Sequence, residues 1–124
     1  MSVGPRWVGG SALFLIGVLS GALVSSAMDA GGTPLSTTVL ENSRVQVEEV
    51  TYAGGAVRPA HTRTHDQAIV FVSDASYEVV YPDGRKVARS RRAGETIWQS
   101  PGGAAPTLTN SGGHAYRTIV VSLK

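Results

Sequence analysis

Four residues of different chemistry fall on alternate positions in the stretch GAVRPAHTRTHDQ: His61, Arg63, His65 and Gln67. Successive side chains of an extended chain point to opposite faces, so these four share one face. Two imidazoles and an amide offer a divalent metal a poor donor set, since selective sites use three or four good N, O or S ligands. Arg63 stands between the histidines as a permanent cation with no lone pair to give, and it repels a bound cation. The same guanidinium suits an anion, because it donates paired, charge-assisted hydrogen bonds to a carboxylate.

A second arginine joins it by parity. In AYRTIVVSL, Arg117 has the phase of Ile119, Val121 and Leu123, so an interior that takes the apolar set takes Arg117 as well. A buried guanidinium requires an acceptor. Two readings stay open: Arg63 and Arg117, with His61, receive a carboxylate or another small anion, or each arginine pairs with an internal acid or stays solvated at a rim. For His65 the plainer reading is a hydrogen-bonding loop residue at the mouth of the site.

The remaining chemistry-bearing residues read as structure. Arg85, Arg89 and Arg91 alternate along with Val87, as on a solvated strand face that discourages edge pairing. Phe71, Tyr77, Tyr81 and Trp98 sit inside strand patterns and are expected in the core. His114 follows two glycines in a turn and is expected to be exposed. There is no recognisable Ser, His and acid nucleophile motif and no phosphate-cradling glycine loop.

The elements that must position these residues are strands. Helix signals are absent after residue 36, and period-two alternation replaces them: Val45 and Val47, then Val50 and Tyr52, with the phase moved by one at Glu48-Glu49 as a β-bulge would move it. Further strands fit residues 68–73, 76–81, 85–90, 96–100, 107–110 and 115–123. Their separators are turn chemistry: Gly54-Gly55, Asp74, Pro82-Asp83-Gly84, Ala93-Gly94, Pro101-Gly102-Gly103 and Ser111-Gly112-Gly113. Many short strands at regular spacing imply an all-β sandwich or barrel, in which closure removes exposed edges.

The N-terminal part has another character. After Arg6 the chain is apolar and uncharged to Val24 and then reaches Ser25, Ser26 and Ala27, which is the pattern of a signal peptide over residues 1–27 cut before Met28. Residues 7–24 are also just long enough to cross a bilayer, so an uncleaved apolar helix contacting the membrane is the rival reading. Both place the domain outside the cytoplasm, in the periplasm or beyond. Residues 28–41 read as a flexible linker and 42–124 as the folded domain. With no cysteine among 124 residues, disulfides, lipidation through a cysteine and thiolate metal sites are excluded. Eleven Lys and Arg against nine Asp and Glu give a net charge of +2, which falls to +1 if Arg6 is removed with the leader. Near neutrality gives no reason to propose nucleic acid as the partner.

Two stretches resemble the cupin superfamily. The first cupin motif has a glycine, five residues and then a histidine, and Gly55 and His61 in GAVRPAHTRTHDQ are so spaced. The second motif is matched at Gly94, Pro101, Gly103 and Asn110 in GETIWQSPGGAAPTLTN, and the flanks ENSRVQVEEV, YPDG, AGETIW and IVVSLK are similar to those of short single-domain cupins. The resemblance implies a small antiparallel β-barrel of the jelly-roll, double-stranded β-helix type, with residues 61–67 and 101–110 side by side at one opening. It also implies a divalent metal held by two histidines and a glutamate of the first motif and a histidine of the second. Here His61 alone keeps its ligand. Arg63 takes the second histidine position, Gln67 or Ala68 the glutamate position and Pro106 the last, so no cofactor is expected. A retained metal would have only His61, His65 and Gln67.

Three classes of function follow. The first is an exported, non-catalytic cupin binding a small polar or anionic organic molecule through His61, Arg63, His65, Gln67 and Arg117. The second is a cupin enzyme, a dioxygenase or isomerase of small acids or sugars, with a reduced metal site. The third is an interaction module at the cell envelope that forms a homodimer.

Overall fold

The longest pairing in the molecule joins β2 (Val45–Tyr52) to β11 (Tyr116–Leu123), antiparallel and in unbroken register from Val45 against Leu123 to Tyr52 against Tyr116. The computed structural model describes residues 32–124, and these contain strands and turns with no helix. The leader expected over residues 1–27 lies outside the described residues. Around the central pair, β1 (Leu35–Glu41) adds to the outside of β2, while β5 (Gln67–Phe71) and then β8 (Thr96–Gln99) add beyond β11. A second sheet runs β3 (Val57–Arg58), β10 (Thr107–Asn110), β6 (Ala75–Val80) and β7 (Lys86–Arg91). A short third pair, β4 (His61–Thr62) with β9 (Ala104–Ala105), lies between them in sequence. The all-β expectation holds, and the strands expected from residue 68 onward match the observed ones to within one residue or two at most ends.

The core fills the closed end between the two larger sheets, where aromatic rings from both meet. Tyr52 and Tyr116, opposed in the β2–β11 pair, stack at 4.7 Å between centroids. Phe71 and Tyr77 reach across from β5 and β6 at 6.1 Å, and each also lies about that far from Tyr116. Ala56, Ala75, Val79 and Leu108 complete the buried set. Stacked and tilted rings at these separations add to the stabilisation from burial alone.

Turns occur where the residue types require them. Between β7 and β8, Glu95 N donates to Arg92 O at 3.0 Å and Gly94 has φ of 93°, a β-turn whose third residue must take a positive φ. Asp74 Oδ1 ties this turn to the β5–β6 loop by accepting from Ala93 N at 2.9 Å. At the closed end Asn110, 2 % exposed, satisfies backbone from two turns, the one after β2 and the one between β10 and β11. Its Nδ2 donates to Tyr52 O, Ala53 O and His114 O at 2.8 to 3.1 Å, and its Oδ1 accepts from Gly112 N.

Four expectations are corrected. Residues 35–41, placed in the linker by composition, form β1, a fully exposed edge strand paired to β2. The phase change in β2 is no bulge, since its register with β11 is continuous; the irregularity sits in β1 between Thr38 and Leu40. Apolar residues simply occupy both faces of β2, with Val50 and Tyr52 inward and Val45 and Val47 outward. Trp98 is not in the core: it is 56 % exposed on the outer face of the five-stranded sheet. There it ends a row of laterally paired residues, Leu40, Val47, Val121, Ala68 and Trp98, one from each strand.

Arg117 is the fourth correction, and it follows from the same cause. The inward residues of β11 are Tyr116, Thr118, Val120 and Ser122, whereas Arg117 is exposed and pairs with Glu49 on the outer face. Alternation located the two faces of β11 correctly but not their identity. The interior is partly polar and the exterior carries the aliphatic set, so hydrophobicity pointed the wrong way.

Candidate functional site

The end of the barrel opposite the aromatic core opens as a cup of about 650 Å³. Its deep wall is apolar and aromatic, made by Tyr52, Ile69, Phe71, Tyr77, Leu108 and Tyr116. Short strands build its mouth. His61 pairs with Ala105 in β4–β9, and just beyond, Arg63 N donates to Gly103 O at 3.0 Å while Gly102 N donates to Arg63 O at 2.9 Å. Residues 61–63 and 102–105 therefore lie side by side at one opening, as the spacing of the two motifs implied, while β10 carries residues 107–110 away from it to the closed end.

Of the expected site residues, His61, Arg63 and Gln67 line the cup. Gln67 is partly committed, donating from Nε2 to Ser122 Oγ at 3.0 Å. His65 is exposed and not among the lining residues; its Nδ1 shares a hydrogen bond with Thr64 Oγ1 at 2.9 Å, which is the loop role open to it from sequence. Arg117 is on the outer face.

The arginines that sequence reasoning missed change the character of the site. Arg58, Arg89 and Arg91 join the expected Arg63 in lining the cup, against Glu48 as the one carboxylate among the lining residues. Among the described residues no carboxylate lies within ion-pair distance of any of the four; the ion pairs there are Arg117–Glu49 and Lys124–Glu41. Arg89 Nη2 and Arg91 Nε instead donate to the hydroxyls of Tyr81 and Tyr77, each at 3.3 Å. The Arg91 guanidinium also stands 6.0 Å above the Phe71 ring. Burial, and then the nearby charge of Arg58, push the Arg63 guanidinium below its ordinary range. Arg58 Nη2 donates to Pro106 O at 2.7 Å, while its Nε is buried without an acceptor.

Arg89 and Arg91 were expected on a solvated face with Val87. The three do share a face, but it is the inner one: Val87 packs on the core, and Arg89 and Arg91, the lateral partners of Tyr77 and Ala75, line the cup along β7, the edge strand of the four-stranded sheet. The parity they share with the apolar Val87 was the signal available in the sequence. Arg58 left a fainter one, an arginine held extended by the following Pro59 within the first motif. Burial pushes the ionisation of the Tyr52 and Tyr116 hydroxyls above the ordinary phenol range, so both are neutral in the wall of the cup.

These residues do not fit a divalent metal. His61 is the one imidazole in the lining, Pro106 offers no side-chain donor, and four guanidinium groups share the space. Among the described residues no three of His, Cys, Asp and Glu come close enough to hold an ion. The arrangement can instead receive negative charge at the mouth and apolar or aromatic surface beneath it.

No protein-family model and no curated protein matches the chain. Solved structures do. A cupin domain from Bordetella pertussis Tohama I is similar at a TM-score of 0.68 and 18% identity, over 75% of this chain and 95% of that one. A double-stranded β-helix protein from Klebsiella pneumoniae gives 0.59 and 20%, over 83% and 90%. The polyketide cyclase RemF from Streptomyces resistomycificus gives 0.62 and 17%, over 78% and 70%. At these identities the likeness shows the fold alone: the described domain has the double-stranded β-helix fold seen in cupin-domain proteins.

Proposed function

We propose that this chain is an exported cupin that binds, without transforming it, a small organic anion with an apolar body. The observation that carries this reading is the charge of the cup: four arginines and one glutamate line it, together with aromatic rings. Charge-assisted hydrogen bonds from a guanidinium are each worth roughly 1.5 to 3 kcal/mol where water is partly excluded. A divalent metal meets the reverse balance, with one imidazole and repulsion from every side. Export rests on the apolar leader read from the sequence.

Titration of the full chain with a panel of small carboxylic acids and their primary amides tests the reading. Acids should bind and amides should not, with affinity falling as salt rises. Equal binding of acid and amide, or no binding of either class, would contradict it.

A second reading, self-association as an interaction module, is favoured by the row Leu40, Val47, Val121, Ala68 and Trp98. It crosses all five strands of the outer face, about 19 Å at the usual strand spacing, with Leu40 and Trp98 both more than half exposed. The two readings use opposite faces of one sheet and are compatible.

A further inference from the structure

The inner face of the β6–β7 pair repeats one contact. Arg91 Nε donates to the Tyr77 hydroxyl and Arg89 Nη2 to the Tyr81 hydroxyl, each at 3.3 Å, and all four side chains line the cup. The register produces the repeat. Tyr77 is the lateral partner of Arg89, and Tyr81 N donates to Arg85 O, so each phenol leans past its own partner to an arginine further along β7. The Arg91 pair lies toward the closed end, its guanidinium 6.0 Å above the Phe71 ring. The Arg89 pair lies nearer the mouth, where Tyr81 follows the end of β6 and its phenol also bears on Arg63.

Neither contact exhausts its arginine. Among the described residues Arg91 Nη1 and Nη2 and the side-chain nitrogens of Arg63 make no hydrogen bond, and none of them is closed off from solvent. Arg89, which is exposed, keeps Nε and Nη1 free in the same sense. Each tyrosine hydroxyl accepts from its arginine and retains its own proton to donate. Arg58 is the exception: its Nη2 is committed to Pro106 O, its Nε is enclosed, and the Tyr52 hydroxyl takes a further contact. Carboxylates are few at this wall. Glu48 lines the cup from β2 in the other large sheet, and Glu95 adds to the field at Arg91 without coming within ion-pair distance. Alternate residues of one strand stand about 7 Å apart at the backbone, so the two Arg–Tyr pairs form two separate sets of donors. A single carboxylate satisfies one set and leaves the other cationic group uncompensated beside it.

We propose that the pairs Arg89–Tyr81 and Arg91–Tyr77 are the two heads of one receptor, with Arg63 joining the outer head, and that the ligand of the cup is a dicarboxylate whose acid groups sit at opposite ends of a rigid apolar body. The inference rests on the reading of the cup as an anion receptor and adds to it the number of charges and the residues that take them.

The test uses the full chain with terephthalate, its monoamide and benzoate as probes, by calorimetry and by ¹⁵N–¹H spectra of the arginine Nε–H groups. The monoamide keeps the shape of terephthalate and lacks one charge. Terephthalate should bind one to one and about tenfold or more tightly than either monoanion, with a steeper loss of affinity as salt rises. In Arg91→Gln the advantage of terephthalate over its monoamide should shrink to about twofold or less. The Nε–H resonances of Arg89 and Arg91 in the wild-type chain should move together along one isotherm, a readout that does not depend on any variant folding. Terephthalate binding no tighter than its monoamide, or two molecules binding per chain, would overturn the two-headed receptor while leaving the anion reading intact. Tight binding that leaves either resonance unmoved, or an advantage retained in full by Arg91→Gln, would overturn the assignment of the heads. Failure of the wild type to bind any of the three probes would overturn the anion reading together with this inference.

Discussion

The guanidinium of Arg63 lies across Gly103, so close that a Cβ built on that glycine would stand 3.1 Å from Arg63 Nη1. The two residues are joined at the backbone too, Arg63 N donating to Gly103 O at 3.0 Å. The glycine thus leaves the room in which the arginine reaches into the cup. Gly103→Ala should fold normally, because the far end of a flexible side chain can yield, but the guanidinium must move. Calorimetry should show a carboxylate binding several-fold more weakly, with a melting temperature within about 2 °C of wild type. Unchanged affinity would show that the position of Arg63 is not set from this side.

Asn110 should be the most costly polar residue to replace. Its two N–H bonds are shared among three carbonyls, and its oxygen accepts a further N–H, all at 2 % exposure. Asn110→Ala leaves these groups without partners, a loss of about 3 kcal/mol or more, which for a domain of this size lowers the melting temperature by roughly 10 to 20 °C. Asn110→Asp turns a donor into an acceptor facing carbonyls and should be worse still. Thermal unfolding by circular dichroism checks both.

High pH should unfold the domain earlier than its charge alone would suggest. Burial raises the ionisation of Tyr52 and Tyr116 in the folded state above that of a free phenol, near 10. A raised folded value means that the stability is fully present below the unfolded pKa and is lost as pH climbs from there toward the folded one. Each tyrosine then contributes a slope of about 1.4 kcal/mol per pH unit. Melting temperatures at pH 8, 9.5 and 11 should fall steeply over the last interval, and less steeply in Tyr116→Phe.

The outer face gives a prediction independent of the cup. If the row ending in Trp98 seats a second copy, sedimentation equilibrium should find a dimer at micromolar concentrations, and Trp98→Ser with Leu40→Lys should return it to a monomer. A monomeric wild-type domain would remove the self-association reading without touching the ligand site.

The strands and the meeting of the two mouth segments were legible in the sequence because both rest on local signals. Alternation over five or more residues and turn residues such as Gly94 leave little choice of element. What alternation cannot say is which face of a two-faced strand is inside. In β11 the aliphatic residues face outward and Thr118 and Ser122 face inward, so the parity that grouped Arg117 with Ile119 was correct and the inference of burial was not. In β7 the same ambiguity put Arg89 and Arg91 on a solvated face when they complete the cup. β1 was missed because an edge strand with one neighbour buries nothing and leaves no apolar rhythm in LSTTVLE. Arg58 sits in a strand of two residues, too short for any rhythm.

The central claim, that a cation-binding fold has here become a cationic site, is tested most directly by calorimetric titration of benzoate into wild type, Arg63→Ala and His65→Ala. Arg63 lines the cup beside Gly103, whereas His65 is turned to solvent and bonded to Thr64. The account predicts that Arg63→Ala weakens binding by about tenfold or more, the loss of one charge-assisted hydrogen bond, while His65→Ala stays within about twofold of wild type. Loss of binding in His65→Ala as large as in Arg63→Ala, or an Arg63→Ala chain that binds as well as wild type, would contradict it.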